Sequence, residues 1–378
     1  MTHVGEVWSL LHTLGRGSLP VKEDTMRQTM ILTGEINLKT VTDPTVPFRR
    51  VTKELGEADL VFANLECLLA DPPAEFATNQ AAFHATSEGF YAGAVAGEAL
   101  KLAGVAGVGC ANNVTYGEDA IRASLARLQE LGIPVTGAGL NRDEAHRPLI
   151  IEKHGVRFGF MQRTSIFWPR GQAAGPLSPG VATLAAHTAY QPRVANRAGV
   201  PPIILTMAAD QELDEYIEEI QALRPQVDVM VSSHHWGLAG EVLQYQKQIA
   251  HAAIDAGADI IMGHGVHAIT PIEVYKDKPI FYGLGCFSFN EGHGGRDSTF
   301  EAVNWLGLLA RVTVEDKQVV KVTCVPVRHN ERNETLIRSA SDERVEIDKL
   351  RADSKKLGTS LTMRGDELVV TEKQGVLA

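Results

Sequence analysis

Five short polar clusters stand out, each directly after an apolar run. They are Gly34-Glu35, Asn64-Leu65-Glu66, Asn112-Asn113, His234-His235-Trp236-Gly237, and Gly263-His264 with His267 three residues on. Two chemistries suit such a set. Mixed histidine, carboxylate and amide donors hold borderline or hard divalent ions such as Mn, Zn or Fe. Alternatively, a carboxylate that hydrogen-bonds a histidine fixes its tautomer, raises its basicity and makes a general acid/base pair. Taken singly, each cluster has an ordinary reading. A glutamate after a glycine is usually a solvated loop residue, an Asn-Asn pair a turn or helix cap, and an isolated histidine a satisfied surface group. Their repetition at one structural place carries the weight, because ligands of open α/β sheets bind at the carboxyl ends of the strands.

Other residues have functional and ordinary readings side by side. Arg163, in Arg163-Thr164-Ser165, offers a fork that suits a carboxylate. Phe167 and Trp168 read equally as a substrate wall or as core beneath a lid. His84, Tyr282 and His293 read as surface or half-buried groups. Cys286 would need a lowered pKa and a neighbouring base to act as a nucleophile.

The elements that must position these residues alternate. Apolar runs at Met30–Thr33, Ala58–Leu65, Gly104–Cys110, Val227–Ser232 and Asp259–Met262 read as buried strands. Helical periodicity appears over Ala92–Ala103, Glu118–Leu131, Asp210–Leu223, Leu243–Ala256 and about 343–356. His154-Gly155 and Lys276-Asp277-Lys278 mark hairpins, and 71–90 reads as a surface loop. Strand, helix, strand, helix with late hairpins predicts a layered, mixed α/β fold. The expected organisation is an N-terminal extension over 1–28, a domain over 29–330 with a proline-interrupted lid or insertion at 165–200, and a tail over 331–378 that packs on the domain.

The bulk composition narrows the class. The chain has 378 residues, with 44% hydrophobic and 22% charged, which is ordinary globular usage. A formal net charge of −10 without clustered Lys or Arg argues against a nucleic-acid binder. No apolar run is long enough to span a bilayer, and no signal-peptide pattern opens the sequence. The four cysteines are far apart, which fits reduced thiols and a cytoplasmic location. The partner implied is a small-molecule or peptide-like substrate, and a homo-oligomer stays open.

Four segments resemble one family. ADLVFANLECLLAD (58–71) resembles its strand ending in Asn-Leu-Glu. ANNVTYGEDAIRASLARLQELGIPVTGAG (111–139) resembles its ANNH segment, helix and following strand. SSHHWG (232–237) resembles its His-Trp-Gly motif. DAGADIIMGHGVHAITPIEVYKDKPIFYGLGCFSFN (255–290) resembles its Gly-His-x-Pro-His motif and hairpin. The family that these segments resemble is the CapA-type poly-γ-glutamate capsule biosynthesis proteins. The resemblance implies a four-layer α/β/β/α sandwich of the calcineurin-like metallophosphatase type. It places metal or catalytic positions on Glu35, Glu66, Asn113, His235, His264 and His267, with Asn64, His234 and Trp236 beside them.

The departures carry information. Glu35 stands where the family has Asp, Val114 where ANNH has its histidine, Val266 for proline, and Cys286 for an amide. Valine neither donates nor accepts a proton, so ordinary phosphoester hydrolysis loses a participant. The fold also includes relatives resembling lasso-peptide epimerases, which use an acid/histidine dyad without metal. The leading expectation is therefore lyase or epimerase chemistry by Glu35 with His267 or His264, while His235, Glu66 and Asn113 orient the substrate. A divalent-metal hydrolase of an amide or phosphoester is the second expectation, and a non-catalytic polymer-synthesis accessory protein the third.

Overall fold

Apolar residues alternate along every central strand, and both alternating sets are buried. In Gln28–Asn37, Met30 and Leu32 face one way and Ile31 the other. The same division holds for Leu60 and Phe62 against Val61 and Ala63, for Phe158 and Phe160 against Met161, and for Val229 and Val231 against Met230. A period of two with both faces apolar requires a layer on each side of each sheet. The computed structural model describes residues 27–39, 41–72, 91–194, 199–238, 241–289, 306–330 and 332–373. His84, His293, most of the expected loop over 71–90 and the extension up to residue 26 lie outside the described residues.

Two sheets face each other. The larger runs Thr362–Arg364, Glu367–Glu372, Gln318–His329, Leu306–Glu315, Gln28–Asn37, Leu60–Leu65, Gly107–Gly109, Val135–Thr136. Cys286–Phe289 and Thr335–Ile337 add to it at Gln28–Asn37 and Gln318–His329. The smaller runs Ile272–Tyr275, Lys278–Phe281, Ile260–His264, Val229–His235, Val156–Thr164, Leu149–Lys153. Met30, Leu32, Phe62, Phe160, Val231 and Met262 form the core between them. Phe62 and Phe160 stack across that layer with centroids 4.2 Å apart. Each such side chain contributes about 1.5–3 kcal/mol of burial.

Helices cover the outer faces. Gly97–Leu102 and Glu118–Leu131 pack Leu100, Leu128 and Leu131 on the larger sheet. Asp210–Leu223 and Gln244–Ala256 pack Tyr216, Ile220, Ile249 and Ala253 on the smaller. The result is the four-layer α/β/β/α sandwich that the motifs imply. Both short hairpins turn through left-handed residues, His154 with Gly155 and Lys276 with Asp277, whose twist matches that of the strands.

The helix expected near 343–356 spans Arg344–Lys356 and sends Ile347 and Leu350 into the core between the sheets. Ser354 Oγ and Thr359 Oγ1 accept from the backbone N–H groups of Ile272 and Val274, at 2.9 and 2.8 Å. These contacts satisfy the edge strand of the smaller sheet, which would otherwise present open donors.

Candidate functional site at the carboxyl ends of the central strands

The alternation that builds the inner core continues past it into polar residues. On the inner face Phe158 and Phe160 lead to Gln162, Val229 and Val231 to Ser233 and His235, and Ile260 and Met262 to His264. Register pairs Ser233 with Gln162 and His235 with His264. From the larger sheet, Leu60 and Phe62 lead to Asn64 and then Glu66. Parity along each strand therefore delivers these side chains to one place.

Glu35 reaches the same place through an irregularity. Thr33 pairs with Ala63, but Glu35 pairs with Asn64, so Gly34 is an extra residue in its strand. Such a bulge re-aims the side chains after it. Met30 and Leu32 face inward before the bulge, and Ile36 packs in the outer core after it. Gly34 is required: a Cβ there would lie 1.9 Å from the carbonyl oxygen of Gly285.

Glu35 is fully buried and doubly engaged. One carboxylate oxygen accepts from the backbone N–H of Gly265. The other lies 2.6 Å from His267 Nδ1, and Cys286 Sγ donates to that same oxygen at 3.4 Å. Burial works against the Glu35 charge, but His267 beside it holds the carboxyl down to about 2. Burial likewise opposes an imidazolium, yet the Glu35 carboxylate lifts His267 to about 9. The two form an ion pair. His267 sits at φ +52°, in the left-handed region, where strain at a non-glycine residue concentrates at functional sites. Glu66 Oε1 lies 3.8 Å from His267 Nε2. Burial, then the nearby Glu35 charge, push the Glu66 carboxyl well above its usual range, so it is held neutral. Burial and the same charge raise the Cys286 thiol, which is no nucleophile as it stands.

A second group adjoins the first. His235 Nδ1 and His264 Nδ1 are 3.1 Å apart. Burial pushes His235 down to about 4 and His264 well below its usual value, so both rings are neutral. His264 Nε2 lies 2.9 Å from Ser233 Oγ and 3.0 Å from Gln162 Nε2. Asn64 Oδ1 accepts from Gln162 Nε2 at 2.9 Å. Asn112 serves the turn, with its amide N–H on Leu65 O at 2.8 Å and its oxygen taking Thr115 N–H. Asn113 keeps a buried Oδ1 without a hydrogen-bond partner, and its backbone oxygen accepts from Trp168 Nε1 at 3.0 Å. Trp168 is 41% exposed, which places it at the rim beside Asn113 and not in a core.

Three expected site residues lie elsewhere. Arg163 and His234 sit one residue out of phase with Gln162, Ser233 and His235 and face the outer helices. Arg163 is buried against Tyr216 and pairs with Glu219, on the floor of a cavity of about 610 Å³ that also meets His146. His234 Nε2 meets Ser232 Oγ at 2.7 Å, and its ring stacks on Trp236, whose indole N–H goes to Tyr282 O. Gln162 and Ser233 belong to the site and were not expected. Their in-phase positions after Phe160 and Val231 are the signal that finds them.

The donor set fits a divalent ion in type. Glu35, His235 and His264 bring ligand atoms within 4.8 Å of one another, as do Glu35, His267 and Cys286. Glu66 Oε2 and Asn113 Oδ1 are buried acceptors with no hydrogen-bond partner. Such oxygens with imidazole suit Mn, Zn or Fe.

A four-layer sandwich with a polar cluster between the carboxyl ends of its two sheets defines the class. The sequence matches the family described as bacterial capsule synthesis protein PGA_cap over residues 16–291, and the chain belongs to that family. It is 30% identical over 187 residues to the PGA biosynthesis protein CapA of Bacillus subtilis, covering 48% of this chain and 42% of that one. It is 26% identical over 278 residues to the capsule biosynthesis protein CapA of Bacillus anthracis, covering 72% and 59%. The chain thus spans about half the length of these relatives. A solved phosphatase from Mycoplasma pneumoniae superposes with a TM-score of 0.46 at 14% identity, covering 82% of this chain and 96% of that one. Among the described residues, no helix is long and apolar enough to cross a membrane.

Proposed function

We propose that this CapA-family chain is an enzyme in which the Glu35–His267 pair moves a proton on a small organic or peptide-like substrate. The observation that carries the reading is the 2.6 Å contact between Glu35 Oε2 and His267 Nδ1. Glu35 is wholly buried, His235 and His264 are at most 1% exposed, and the His267 side chain is 24% exposed. Of these rings, His267 is the one that reaches solvent. Position 114, where the family pattern has a histidine, is a buried valine. Proton transfer therefore falls to His267.

With Nδ1 held by Glu35, the ring delivers from Nε2. His267 enters as the acid and protonates a substrate oxygen; its neutral Nε2 then removes a proton from a neighbouring substrate carbon or hydroxyl, which returns the ring to its starting state. Glu66, held neutral, hydrogen-bonds Glu35 and keeps a second, unpartnered oxygen, Oε2, while Trp168 at the rim meets Asn113. Such a sequence serves an elimination, a retro-aldol cleavage or an epimerisation. The test is deuterium uptake at carbon, or product formation, from a panel of glutamyl peptides in D₂O. Glu35→Gln and His267→Gln should each lower turnover by about 10²–10⁴-fold. Undiminished turnover in a Glu35→Ala, His267→Ala double variant would sink the reading.

A second reading rests on the ligand atoms of Glu35, His235 and His264, which lie within 4.8 Å of one another, and on the buried, unpartnered oxygens Glu66 Oε2 and Asn113 Oδ1. A divalent ion held by Glu35, His235 and His264, with Glu66 and Asn113 adjoining, would supply Lewis-acid polarisation of an amide or phosphoryl oxygen. Around it, this chain's own residues would keep the roles described: Glu35 anchors His267, and His267 protonates the leaving group. Elemental mass spectrometry of protein purified without chelator tests it. About one or more equivalents of Mn, Fe or Zn, with activity lost on chelation, would favour hydrolysis.

A further inference from the structure

Gln162 is fully buried, and two glycines make room for it. A Cβ on Gly109 would lie 2.2 Å from Gln162 Oε1, and one on Gly137 would lie 3.0 Å from it. The amide has one orientation that satisfies its surroundings. The backbone N–H of Ala111 donates to Oε1 at 2.8 Å, so that atom must be the oxygen. The other end is then NH₂, which donates to Asn64 Oδ1 and faces His264 Nε2 at 3.0 Å. An amide NH₂ cannot accept, and although Ser233 Oγ at 2.9 Å from the same nitrogen could take an Nε2–H, that proton would stand against the Gln162 NH₂, so the amide selects a His264 Nε2 that presents its lone pair, to which the Ser233 hydroxyl can also donate. A neutral imidazole with a bare Nε2 carries its proton on Nδ1. His264 Nδ1–H then donates to His235 Nδ1, which leaves the His235 proton on Nε2.

From this chain of contacts we propose that Gln162 is a positioning residue that locks His264 as the Nδ1–H tautomer and so ties His235 and His264 to each other rather than to an ion. An ion at the facing Nδ1 atoms needs both lone pairs. His264 would have to carry its proton on Nε2, against the NH₂ of Gln162. Metal-binding histidines ordinarily meet a carboxylate, carbonyl or water at the far nitrogen, and losing such a partner changes affinity about 10–100-fold. Gln162 is the reverse of such a partner.

A carboxylate in the place of this amide would have the opposite role, so the test substitution is Gln162→Glu. The new side chain still accepts Ala111 N–H and can accept an Nε2–H from His264. Asn64 can answer the exchange by rotating, which brings its unpartnered Nδ2 to the new carboxylate and gives up the 3.3 Å contact from Asn112 Nδ2, an amide that keeps its 2.8 Å bond to Leu65 O. The experiment has two parts on the full chain. Imidazole nitrogen–proton correlation spectra of the metal-free protein assign the tautomers, which decides the role of Gln162 whichever chemistry the site performs. Zn²⁺ titration against a chromophoric chelator then reads affinity; this part rests on the metal reading of the donors. The expected result is an Nδ1–H His264 in the wild type, moving to Nε2–H in Gln162→Glu with Zn²⁺ binding about 10–100-fold tighter. An Nε2–H His264 in the wild type, or a Gln162→Glu protein with unchanged tautomer and affinity, would overturn it. If that variant does not fold, the wild-type spectrum alone decides.

Discussion

Gly34 lies so close to Gly285 that any side chain at position 34 would enter the space of the Gly285 carbonyl oxygen, 1.9 Å from a Cβ. The contact joins the bulge that aims Glu35 to the turn before Cys286, since Glu35 N–H also donates to Gly285 O at 3.0 Å. Gly34→Ala must therefore shift the bulge. We expect a loss of about 1–3 kcal/mol, as for overpacking elsewhere, and loss of the Glu35–His267 contact. Urea unfolding measures the first and the His267 ring resonances the second. A variant as stable as the wild type would show that the backbone relaxes freely there.

The two buried carboxyls should behave oppositely. Glu35 is charged and paired, so Glu35→Gln takes from His267 the carboxylate that balances its charge and should cost roughly 3–5 kcal/mol, as for a broken buried pair. Glu66 is held neutral, so Glu66→Gln replaces one uncharged group by another of the same shape. A smaller loss than for Glu35→Gln, about 1 kcal/mol at most, the worth of one hydrogen bond, is expected. Urea midpoints for the two variants at neutral pH separate them; equal losses would contradict the assignment of charge.

Glu219 explains Arg163 without substrate. Burial opposes the Glu219 charge, but His146 and the buried Arg163 guanidinium together hold its carboxyl below the usual range. A depressed carboxyl stabilises the fold above its unfolded pKa, and that contribution fades as pH falls through the folded value. Wild-type stability should thus drop on acidification below about pH 5, the range in which paired carboxylates protonate. Glu219→Gln should be less stable at neutral pH and show a flatter acid limb. A variant with the wild-type acid slope would place the acid sensitivity in other groups.

All four cysteines are free and buried, and burial is the first cause raising each thiol. A thiol-specific chromogenic reagent should label none of them in the native chain at about pH 7.5, where thiols held this high carry no thiolate, and all four in denaturant. Rapid native labelling at Cys286 would show a thiolate beside Glu35 and His267, and a different chemistry.

Much of this site is readable from residue order because it obeys strand parity. Asn64 and Glu66 follow Leu60 and Phe62 in phase, and His235 follows Val229 and Val231. The same rule separates His235 from His234, which motif matching alone groups together, and Gln162 from Arg163. Glu35 breaks the rule: counted from Leu32 it falls on the outer face, and a bulge at one glycine turns it inward. Nothing local in Thr33-Gly34-Glu35 announces that, since the steric demand comes from Gly285, far along the chain. The choice of His267 over His264 as Glu35's partner is equally non-local. His264 is claimed by Gln162, Ser233 and His235, and those contacts exist only once both sheets are assembled.

The central claim is that Glu35 and His267 form an ion pair at neutral pH, poised for proton transfer. The direct measurement is the pH titration of the His267 ring nitrogens by NMR in the metal-free chain. Both nitrogens should stay protonated to about pH 9, because the Glu35 carboxylate raises the ring above its ordinary value. In Glu35→Gln the midpoint should fall below that of the wild type, since burial then acts without the carboxylate. A His267 that is already neutral at about pH 7 in the wild type, near the ordinary histidine value, or whose midpoint is unmoved by Glu35→Gln, would contradict the account.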